Sequence, residues 1–467
     1  MSQADYVFAL CVIAWSPLLL HFRYSNSSDC GYCRRSRSGQ SLKRYSYFAV
    51  ATSLSPSFYQ KLIDRCWRRS GSLLYRPNQR NSCCPHYSLR LDSTAFRPTK
   101  DQRQAVNRFN RHVIGTDYAN KAARLYPRSR EETRKRHNEF DLVERIHEPE
   151  SQSLMYPPDP AHSFTVTLES DTFTEEKYQV FENYQRVVHH EPPEKITPHG
   201  FRRFLCDSPL RRETVVRPDG VERKLGSYHQ CYRLDGKLVA IGVLDLLPDC
   251  VSAVYFLYHE SVHTFNPGKL GAMREIALAL EGGYRWWYSG YYIHSCAKMR
   301  YKTDYYPQYV LDPETFGWHL LDKAALAILD KKKYVSLSRE HQGPGNADGS
   351  NGASNGASNG ASTPEPEPDE HTSDSEATDD ERGEASLLHS NMPGIPSLDQ
   401  MREVDMGGLL LRSDSSANFF LASDLVMWDT GDITQFGTIK GRIAELVAAV
   451  GPDLMSELCV DFRRRHR

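Results

Sequence analysis

Apolar residues in the second half of the chain follow strand and helix patterns in a defined order. Tyr178, Phe181 and Tyr184 recur at helical spacing, which predicts an amphipathic helix. Two runs in which apolar and polar residues alternate flank Asp235-Gly236, a pattern typical of a hairpin. The predicted elements are strand 164–168, helix 175–190, strands 227–234 and 237–245, strand 251–259, helix 272–280 and strand 284–294.

A smaller α+β domain is predicted at residues 25–140. Alternation at 47–50 and 87–91 indicates strands, and the pattern at 56–69 indicates a helix. Residues 115–160 are polar and charge-rich, so we expect a helix there, followed by a linker at 141–160. The second domain then occupies 161–335. Its antiparallel hairpin, strand, helix and strand are in the order of an acyltransferase-type α/β fold.

The composition changes after residue 335. Asn-Gly-Ala-Ser occurs three times at 351–362, and residues 363–384 hold ten acids and one Arg. Such a segment buries too little apolar area to offset its ordering entropy, so a disordered acidic insertion is predicted at 336–400. Structure resumes at 401–467 with a helix at 439–450, and we expect this segment to pack on the acyltransferase-like domain.

Residues 1–24 form an N-terminal extension of uncertain role. Positions 6–20 carry no charge, but this stretch is too short to span a bilayer comfortably and no basic residue precedes it. We therefore expect no membrane partner.

Charge is unevenly distributed along the 467 residues. The chain has 58 Lys plus Arg and 59 Asp plus Glu, which is typical of a soluble protein of two or three domains. Residues 31–140, however, hold 24 Lys plus Arg against 7 Asp plus Glu. Clustered cations release counterions from a phosphate backbone, so this third of the chain is a candidate for RNA or DNA binding. A solvated basic face is the alternative.

Four of the eleven cysteines form a candidate metal site. The eleven give no even disulfide framework, which favours reduced cytosolic thiols and disfavours secretion. Cys30 and Cys33 form a Cys-x-x-Cys pair, and Cys83 and Cys84 supply two more thiols. Together they suit Zn²⁺ or an iron–sulfur cluster, while a redox pair or an inert set of thiols stays open. His86 is a possible substitute for one thiolate.

The second domain is rich in His, Tyr and basic residues but has no Gly-x-Ser-x-Gly nucleophile motif. That favours direct transfer over a covalent enzyme intermediate. The aromatic run at 284–292 suits either base stacking or a packed strand. Lys298, Arg300 and Lys302 are spaced by two, so on an extended segment they share one face. That face suits a carboxylate or a phosphate, or is simply solvated.

Several motifs resemble those of eukaryotic, fungal-like arginyl-tRNA–protein transferases. In the N-terminal half they are Cys-Gly-Tyr-Cys at 30–33, Asp-Arg-Cys-Trp-Arg-Arg-Ser-Gly at 64–71 and Cys-Cys-Pro-His-Tyr at 83–87. In the C-terminal half they are Tyr-Gln-Arg-Val-Val-His at 184–189, Phe-Arg-Arg-Phe-Leu-Cys at 201–206, Gly-Val-Leu-Asp-Leu-Leu-Pro at 242–248, and Gly-Tyr-Tyr-Ile-His-Ser-Cys-Ala-Lys-Met-Arg-Tyr-Lys at 290–302. The resemblance covers about residues 28–325.

The resemblance implies an enzyme that moves arginine from Arg-tRNA to the α-amine of proteins beginning with Asp, Glu or oxidised Cys. Such arginylation marks these proteins for ubiquitin-dependent degradation. It also implies a domain similar to the GNAT-type N-acetyltransferase fold and a zinc or iron–sulfur site at Cys30, Cys33, Cys83 and Cys84. Coenzyme A is not expected. We expect a monomer in the cytoplasm, with the nucleus as a second location.

An aminoacyl ester is already activated, so the enzyme's tasks are to orient two substrates and to accept a proton. A modest base suffices, and His229, Asp245 and His294 are the candidates. We expect substrate binding by Tyr292, Ser295, Lys298, Arg300 and Lys302.

The chain departs from the family pattern at three places. Cys66 stands where Gly is usual, Ala297 where Pro is frequent, and His259-Glu260 where Asp-Pro is usual. Two other functions stay open. A coenzyme A-dependent N-acetyltransferase needs a pyrophosphate loop, but Phe265 and Leu270 stand where Arg or Gln and Gly or Ala belong. A non-catalytic, metal-dependent RNA-binding protein explains the basic third but gives the second domain no task.

Overall fold

The computed structural model describes residues 10–13, 23–27, 30, 32–33, 44–342, 386–412, 419–426, 428–435 and 437–462. Most of the N-terminal extension and the whole of residues 343–385 lie outside them, so the predictions for those stretches stay predictions. Among the described helices, none combines the length and the apolar character that crossing a membrane requires.

The strands belong to two mixed sheets. They are β1 (Leu10–Ile13), β2 (Arg23–Ser27), β3 (Arg44–Leu54), β4 (Arg68–Ser70), β5 (Leu73–Pro77), β6 (Tyr87–Asp92), β7 (Phe164–Ser170), β8 (Glu213–Val216), β9 (Glu222–Leu234), β10 (Lys237–Leu246), β11 (Cys250–Tyr258), β12 (Trp286–Tyr292), β13 (Gln308–Leu311), β14 (Trp318–Leu320), β15 (Leu410–Arg412), β16 (Phe419–Leu421) and β17 (Leu458–Asp461).

Helices cover the sheets and connect their strands. They are α1 (Pro56–Ile63), α2 (Lys100–Ile114), α3 (Thr116–Leu125), α4 (Arg130–Asn138), α5 (Leu142–His147), α6 (Glu175–Val187), α7 (Pro198–Phe201), α8 (Pro267–Glu281), α9 (Lys323–Lys331), α10 (Leu337–Gln342), α11 (Leu398–Arg402) and α12 (Ile439–Val450). A π-helix at Arg202–Cys206 and a 3₁₀ helix at Ala297–Asp304 also bear on the site.

The second sheet contains the predicted hairpin and the strands beside it. Its order is β14-β13-β6-β12-β11-β10-β9-β7, with β8 on β9. Asp235 and Gly236 both adopt positive φ in the turn between β9 and β10, as a tight hairpin requires. Helix α8 packs on this sheet through Met273, Ile276 and Ala277, which are fully buried. This mixed α and β architecture confirms the coarse fold class.

Some boundaries differ from the sequence prediction. The helix expected at 56–69 ends at Ile63, because Cys66 adopts positive φ and turns the chain into β4. Helix α8 begins at Pro267, five residues earlier than expected, since proline is well suited to the first helical turn. Strand β6 comes from the predicted N-terminal domain but pairs with β12 and β13. Residues 25–140 are therefore divided between both sheets.

The C-terminal segment packs elsewhere than expected. The first sheet has the order β16-β15-β17-β1-β3-β5-β4, with β2 on β3, so residues 401–467 complete the N-terminal sheet. Trp67 Nε1 donates to the carbonyl of Ala449 at 3.2 Å, and Arg76 Nη1 donates to the same oxygen at 2.6 Å. The apolar residues of α12 pack in the core of the N-terminal sheet. The prediction that residues 401–467 pack on the acyltransferase-like domain is therefore corrected.

The predicted insertion is structured at both ends. Residues 337–342 form α10, and Leu387, Leu388 and Met392 are buried in the first core. Of the predicted disordered stretch at 336–400, only 343–385 lies outside the described residues. The apolar residues Leu387, Leu388 and Met392, just after the acidic run, explain why the C-terminal end of the predicted insertion is held in the core.

A buried ion pair joins the two sheets. Arg69 in β4 donates through Nε and Nη2 to the Asp245 carboxylate in β10, at 2.8 and 2.5 Å. The side chains are 1% and 0% exposed, and Arg69 Nη2 also reaches Ser227 Oγ at 3.0 Å. Both partners are well hydrogen-bonded, which is what a buried pair needs to offset its desolvation.

We predict that Asp245→Asn lowers the free energy of unfolding by about 3 to 5 kcal/mol, because it leaves a buried guanidinium without its counter-charge. Chemical denaturation measures this. Asp249→Asn, at an exposed position of the same β10 to β11 turn, is the matched control and should have little effect. Equal effects of the two variants would contradict the role of the pair.

We also predict a pH-dependent stability from Glu275 on α8. Burial raises the pKa of its carboxyl from 4.5 to about 7. The unfolded chain then loses this proton first as pH rises, so the group destabilises the fold progressively between those two values. Glu275→Gln, which keeps an acceptor for Trp287 Nε1, should stabilise the protein by up to about 3 kcal/mol at pH 8 and by under about 1 at pH 5. Denaturation at both pH values checks this, with exposed Glu131→Gln as control; equal gains at both would contradict it.

Candidate functional site

The four predicted cysteines come together. Their sulfur atoms, from Cys30, Cys33, Cys83 and Cys84, all lie within 4.8 Å of one another. A hydrogen bond with Cys84 lowers the pKa of the Cys30 thiol to about 4, so one sulfur is already favoured as the thiolate that metals bind. The donor set and its spacing fit a metal.

Side chains around the cluster come from both halves of the chain. Ser295 Oγ lies 3.8 Å from Cys84 Sγ, and Ile293 and Cys296 pack in the same small core. The predicted substrate residue Ser295 thus contacts the metal site. His86 is not part of the four-sulfur group: its ring packs edge-on against Tyr32 and Tyr291, with centroids 5.2 and 5.4 Å away.

The ladder between β11 and β12 ends partway along both strands, and we call the place beyond its end the cleft. Their parallel pairing runs from Cys250 with Trp286 to Ser252 with Tyr288 and ends there. The pairing of β12 with β6 changes register between Trp287 and Gly290, which has a φ of 82°. Lys302 Nζ donates to the carbonyl oxygens of Ser289 and Tyr291, at 2.7 and 2.6 Å. A charged side chain therefore lies at the separation of the two strands.

The predicted basic face at Lys298, Arg300 and Lys302 is not formed. Residues 297–304 are a 3₁₀ helix and not an extended segment, so positions two apart do not share a face. Lys298 and Arg300 are exposed, whereas Lys302 points inward. Burial, together with the Arg68 charge, lowers the pKa of Lys302 to about 8. Lys302 thus differs from Lys298 and Arg300 both in its position and in its pKa.

Two of the three proposed bases are enclosed in the protein. Asp245 is held by Arg69, as described above. His229 is fully buried, and its Nε2 donates to the carbonyl of Leu205 at 3.0 Å while Nδ1 has no partner. Burial, with help from the Lys177 charge, lowers the pKa of His229 to about 4. Its ion pair with Arg69 makes Asp245 a structural residue. The lowered pKa keeps His229 neutral.

The third proposed base, His294, is part of a three-residue chain. Its Nε2 lies 2.8 Å from Asp330 Oδ1, and its Nδ1 lies 2.7 Å from the hydroxyl of Tyr292. If Nε2 carries the proton that Asp330 accepts, Nδ1 accepts from Tyr292. The histidine side chain is 15% exposed, so it is the most accessible of the three.

Exposed cations cover helices α3 and α4 and the turn between them. Arg128, Arg130 and Arg134 surround Thr133 and His137 at the surface. We call these three arginines the cationic face. Arg136, in contrast, is engaged by Glu144 and Glu148. The basic third of the sequence thus exposes positive charge to solvent on helices α3 and α4 and the turn between them.

Arg68 was not predicted as a site residue from the sequence. It occurs within a motif that supported the resemblance, but its neighbour Arg69 is equally basic and only the fold distinguishes them. Adjacent residues of a strand point to opposite faces, so Arg69 meets Asp245 while Arg68 lies over the rings of Tyr288 and Tyr291.

Known proteins match both halves of the chain. Residues 28–104 match the family model described as arginine-tRNA-protein transferase, N terminus, and residues 176–312 match the one described as its C terminus. Arginyl-tRNA–protein transferase 1 of Saccharomyces cerevisiae is 26% identical over 63% of this chain and 60% of its own length. Its Arabidopsis thaliana namesake is 41% identical over 37% of this chain and 28% of its own length.

A bacterial relative is also similar. The aspartate/glutamate leucyltransferase of Aeromonas salmonicida is 26% identical over 54% of this chain and 78% of its own length. The chain matches less than two thirds of the yeast and Arabidopsis relatives. With an N-terminal and a C-terminal match in the right order, and with the predicted cysteines in one cluster, the chain is similar in both halves to the arginine-tRNA–protein transferase family.

Proposed function

We propose that the protein transfers arginine from Arg-tRNA to the α-amine of proteins beginning with Asp, Glu or oxidised Cys, and so marks them for ubiquitin-dependent degradation. The observation that carries this proposal is the match of both halves to one transferase family. The name of the bacterial relative supports an acidic acceptor. We further propose a GNAT-like catalytic domain and a monomer acting in the cytoplasm, with the nucleus as a second location.

The proposed chemistry asks for little covalent catalysis. The α-amine of the acceptor attacks the ester carbonyl of Arg-tRNA, the amide bond forms, and the 3′ hydroxyl of the tRNA leaves. Because the ester is activated, orientation and exclusion of water matter more than a strong base. We retain His294 as the proposed proton acceptor: Asp330 orients its ring, and Nδ1 would take the proton through the hydroxyl of Tyr292 that it faces. The cationic face on α4 and the turn before it is suited to the tRNA backbone.

The loop before α8 argues against coenzyme A as donor. A pyrophosphate needs free backbone N–H groups at a helix N-terminus, but Pro267 has none. Phe265 instead stacks with His112 and packs edge-on against Phe109, at 4.5 and 5.6 Å between ring centroids. A small apolar cavity of about 50 Å³ lies beside this loop. These features support a donor other than a coenzyme A thioester.

We propose that the four cysteines hold one Zn²⁺. Four sulfurs bound to a single zinc at about 2.3 Å are about 3.8 Å apart, which is compatible with four sulfur atoms that all lie within 4.8 Å of one another. An iron–sulfur cluster places its own irons and sulfides between the thiolates and keeps them farther apart. A closed four-thiolate site has no open position for substrate, so the metal would supply structure.

The transfer reaction is tested with labelled arginine on Arg-tRNA and two peptides that differ only in N-terminal Asp or N-acetyl-Asp. We expect label on the free-amine peptide alone, because acetylation removes the attacking lone pair. Leu-tRNA and acetyl-coenzyme A serve as parallel donors and should give no product. Acetyl transfer would revive the coenzyme A enzyme, and tRNA binding without any transfer would favour the RNA-binding protein.

The metal is tested by elemental analysis of the purified protein. We expect about one zinc per chain and a colourless solution, since Zn²⁺ has a filled d shell. Cys84→Ser should lose most of the zinc and lower the unfolding midpoint. Cys296→Ser, in the same small core but outside the four sulfurs, is the matched control. Iron with acid-labile sulfide and visible absorption would contradict the zinc assignment.

A further inference from the structure

One edge of a buried guanidinium lacks a partner. Arg68 is 6% exposed. Its Nη1 donates to the carbonyl of Trp67 at 3.0 Å and approaches that of Ile63 at 3.5 Å, but Nε and Nη2 make no hydrogen bond. Buried polar groups are nearly always paired, and an unpaired charged donor is costly. This edge therefore calls for an acceptor.

The surroundings of Arg68 do not supply one. Its Cζ lies 5.7 and 5.4 Å from the ring centres of Tyr288 and Tyr291. Asp64, the nearby acid, already accepts from the hydroxyl of Tyr288 at 2.6 Å and from Gln60 Nε2 at 3.1 Å. Among the described ion pairs, none includes Arg68. Its charge is left without a counter-charge in direct contact.

Further unpaired or cationic groups come from the cleft between β11 and β12. Lys302 Nζ, held by two β12 carbonyls, is close enough to interact electrostatically with Arg68. The hydroxyl of Ser289 is buried and also lacks a partner. Two neighbouring cations, Arg68 and Lys302, therefore make the cleft complementary to a small anion.

The geometry of the free edge selects the kind of anion. Nε and Nη2 donate in parallel along one lateral edge of the guanidinium, and such a fork matches the two oxygens of a carboxylate. A side-chain carboxylate can enter a closed cleft at the tip of a flexible chain. An internal tRNA phosphate arrives with nucleosides on both sides, and the exposed cationic face suits it better.

We propose that Arg68 binds the side-chain carboxylate of the acceptor's N-terminal residue through Nε and Nη2, with Lys302 adding positive charge. The inference rests on the proposed arginyl transfer and assigns its acceptor specificity. Arg68 extends from β4 of the N-terminal sheet, whereas the cleft is formed by β11 and β12 of the other sheet. Acceptor recognition thus needs both sheets held together.

The test compares Arg68→Lys and Arg68→Met with wild type on peptides that begin with Asp or with isosteric Asn. Arg68→Lys keeps the charge but loses the fork, so we expect the KM for the Asp peptide to rise about 30-fold. The preference for Asp over Asn should fall toward unity. The tRNA affinity should not change. Arg285→Met, an exposed arginine just before β12, is the matched control.

Two further measurements keep a folding defect separate from a binding defect. Removing an unpaired buried charge should leave the unfolding midpoint of the free protein unchanged or higher, whereas a purely structural arginine would lower it. Direct titration of the Asp and Asn peptides without tRNA should show weaker Asp binding in both variants.

Unchanged discrimination between Asp and Asn in Arg68→Lys would overturn the assignment. So would a loss of tRNA affinity, which would make Arg68 a phosphate ligand. Failure of wild type to transfer arginine would overturn the proposed function instead, while selective Asp binding that depends on Arg68 would still support the carboxylate site.

Discussion

The ion pair of Arg69 with Asp245 is the constraint on which the arrangement of the two sheets depends. A three-residue strand, β4, brings Arg69 to β10, and the pair is almost completely excluded from water. Because alternate residues of a strand face opposite ways, fixing Arg69 also fixes the direction of Arg68 toward Tyr288 and Tyr291. The structural cation and the proposed binding cation are therefore set by one interaction. A shift of β4 by one residue would turn each of the two arginines to the opposite face of the strand.

The cysteine cluster is a second tie between the halves of the chain. Its ligands come from the N-terminal half, but Ile293, Ser295 and Cys296 pack against it from the segment after β12. That same segment continues into the 3₁₀ helix that carries Lys302. A metal at the cluster would hold the start of this helix in place without touching either substrate. A structural site can thus control the geometry of a cleft that lies beside it.

Local patterns in the sequence predict much of this structure. The hairpin at Asp235-Gly236 and the helix α12 have the bounds or the turn expected, because turn chemistry and apolar spacing act over a few residues. The four cysteines were also found by spacing. The sequence does not predict which sheet the C-terminal segment packs against. Helix α12 is buried over most of its surface, so its apolar spacing does not indicate which sheet covers it. Asp245 likewise looked reactive because nothing in the sequence pairs it with Arg69.

Burial of cations in the cleft is consistent with a reaction in which water competes with the acceptor amine. A hydrated cleft would satisfy Arg68 but would also expose an aminoacyl ester to hydrolysis. In an enclosed cleft, the unpaired edge of Arg68 raises the free energy of the protein when no acceptor is bound. An acidic acceptor removes that cost, while an amide side chain removes only part of it. Selectivity for an acidic over an amide side chain then comes from the destabilised protein without acceptor. It does not require that the acceptor bind tightly. The enclosed position of Arg68 is what makes its choice of partner specific.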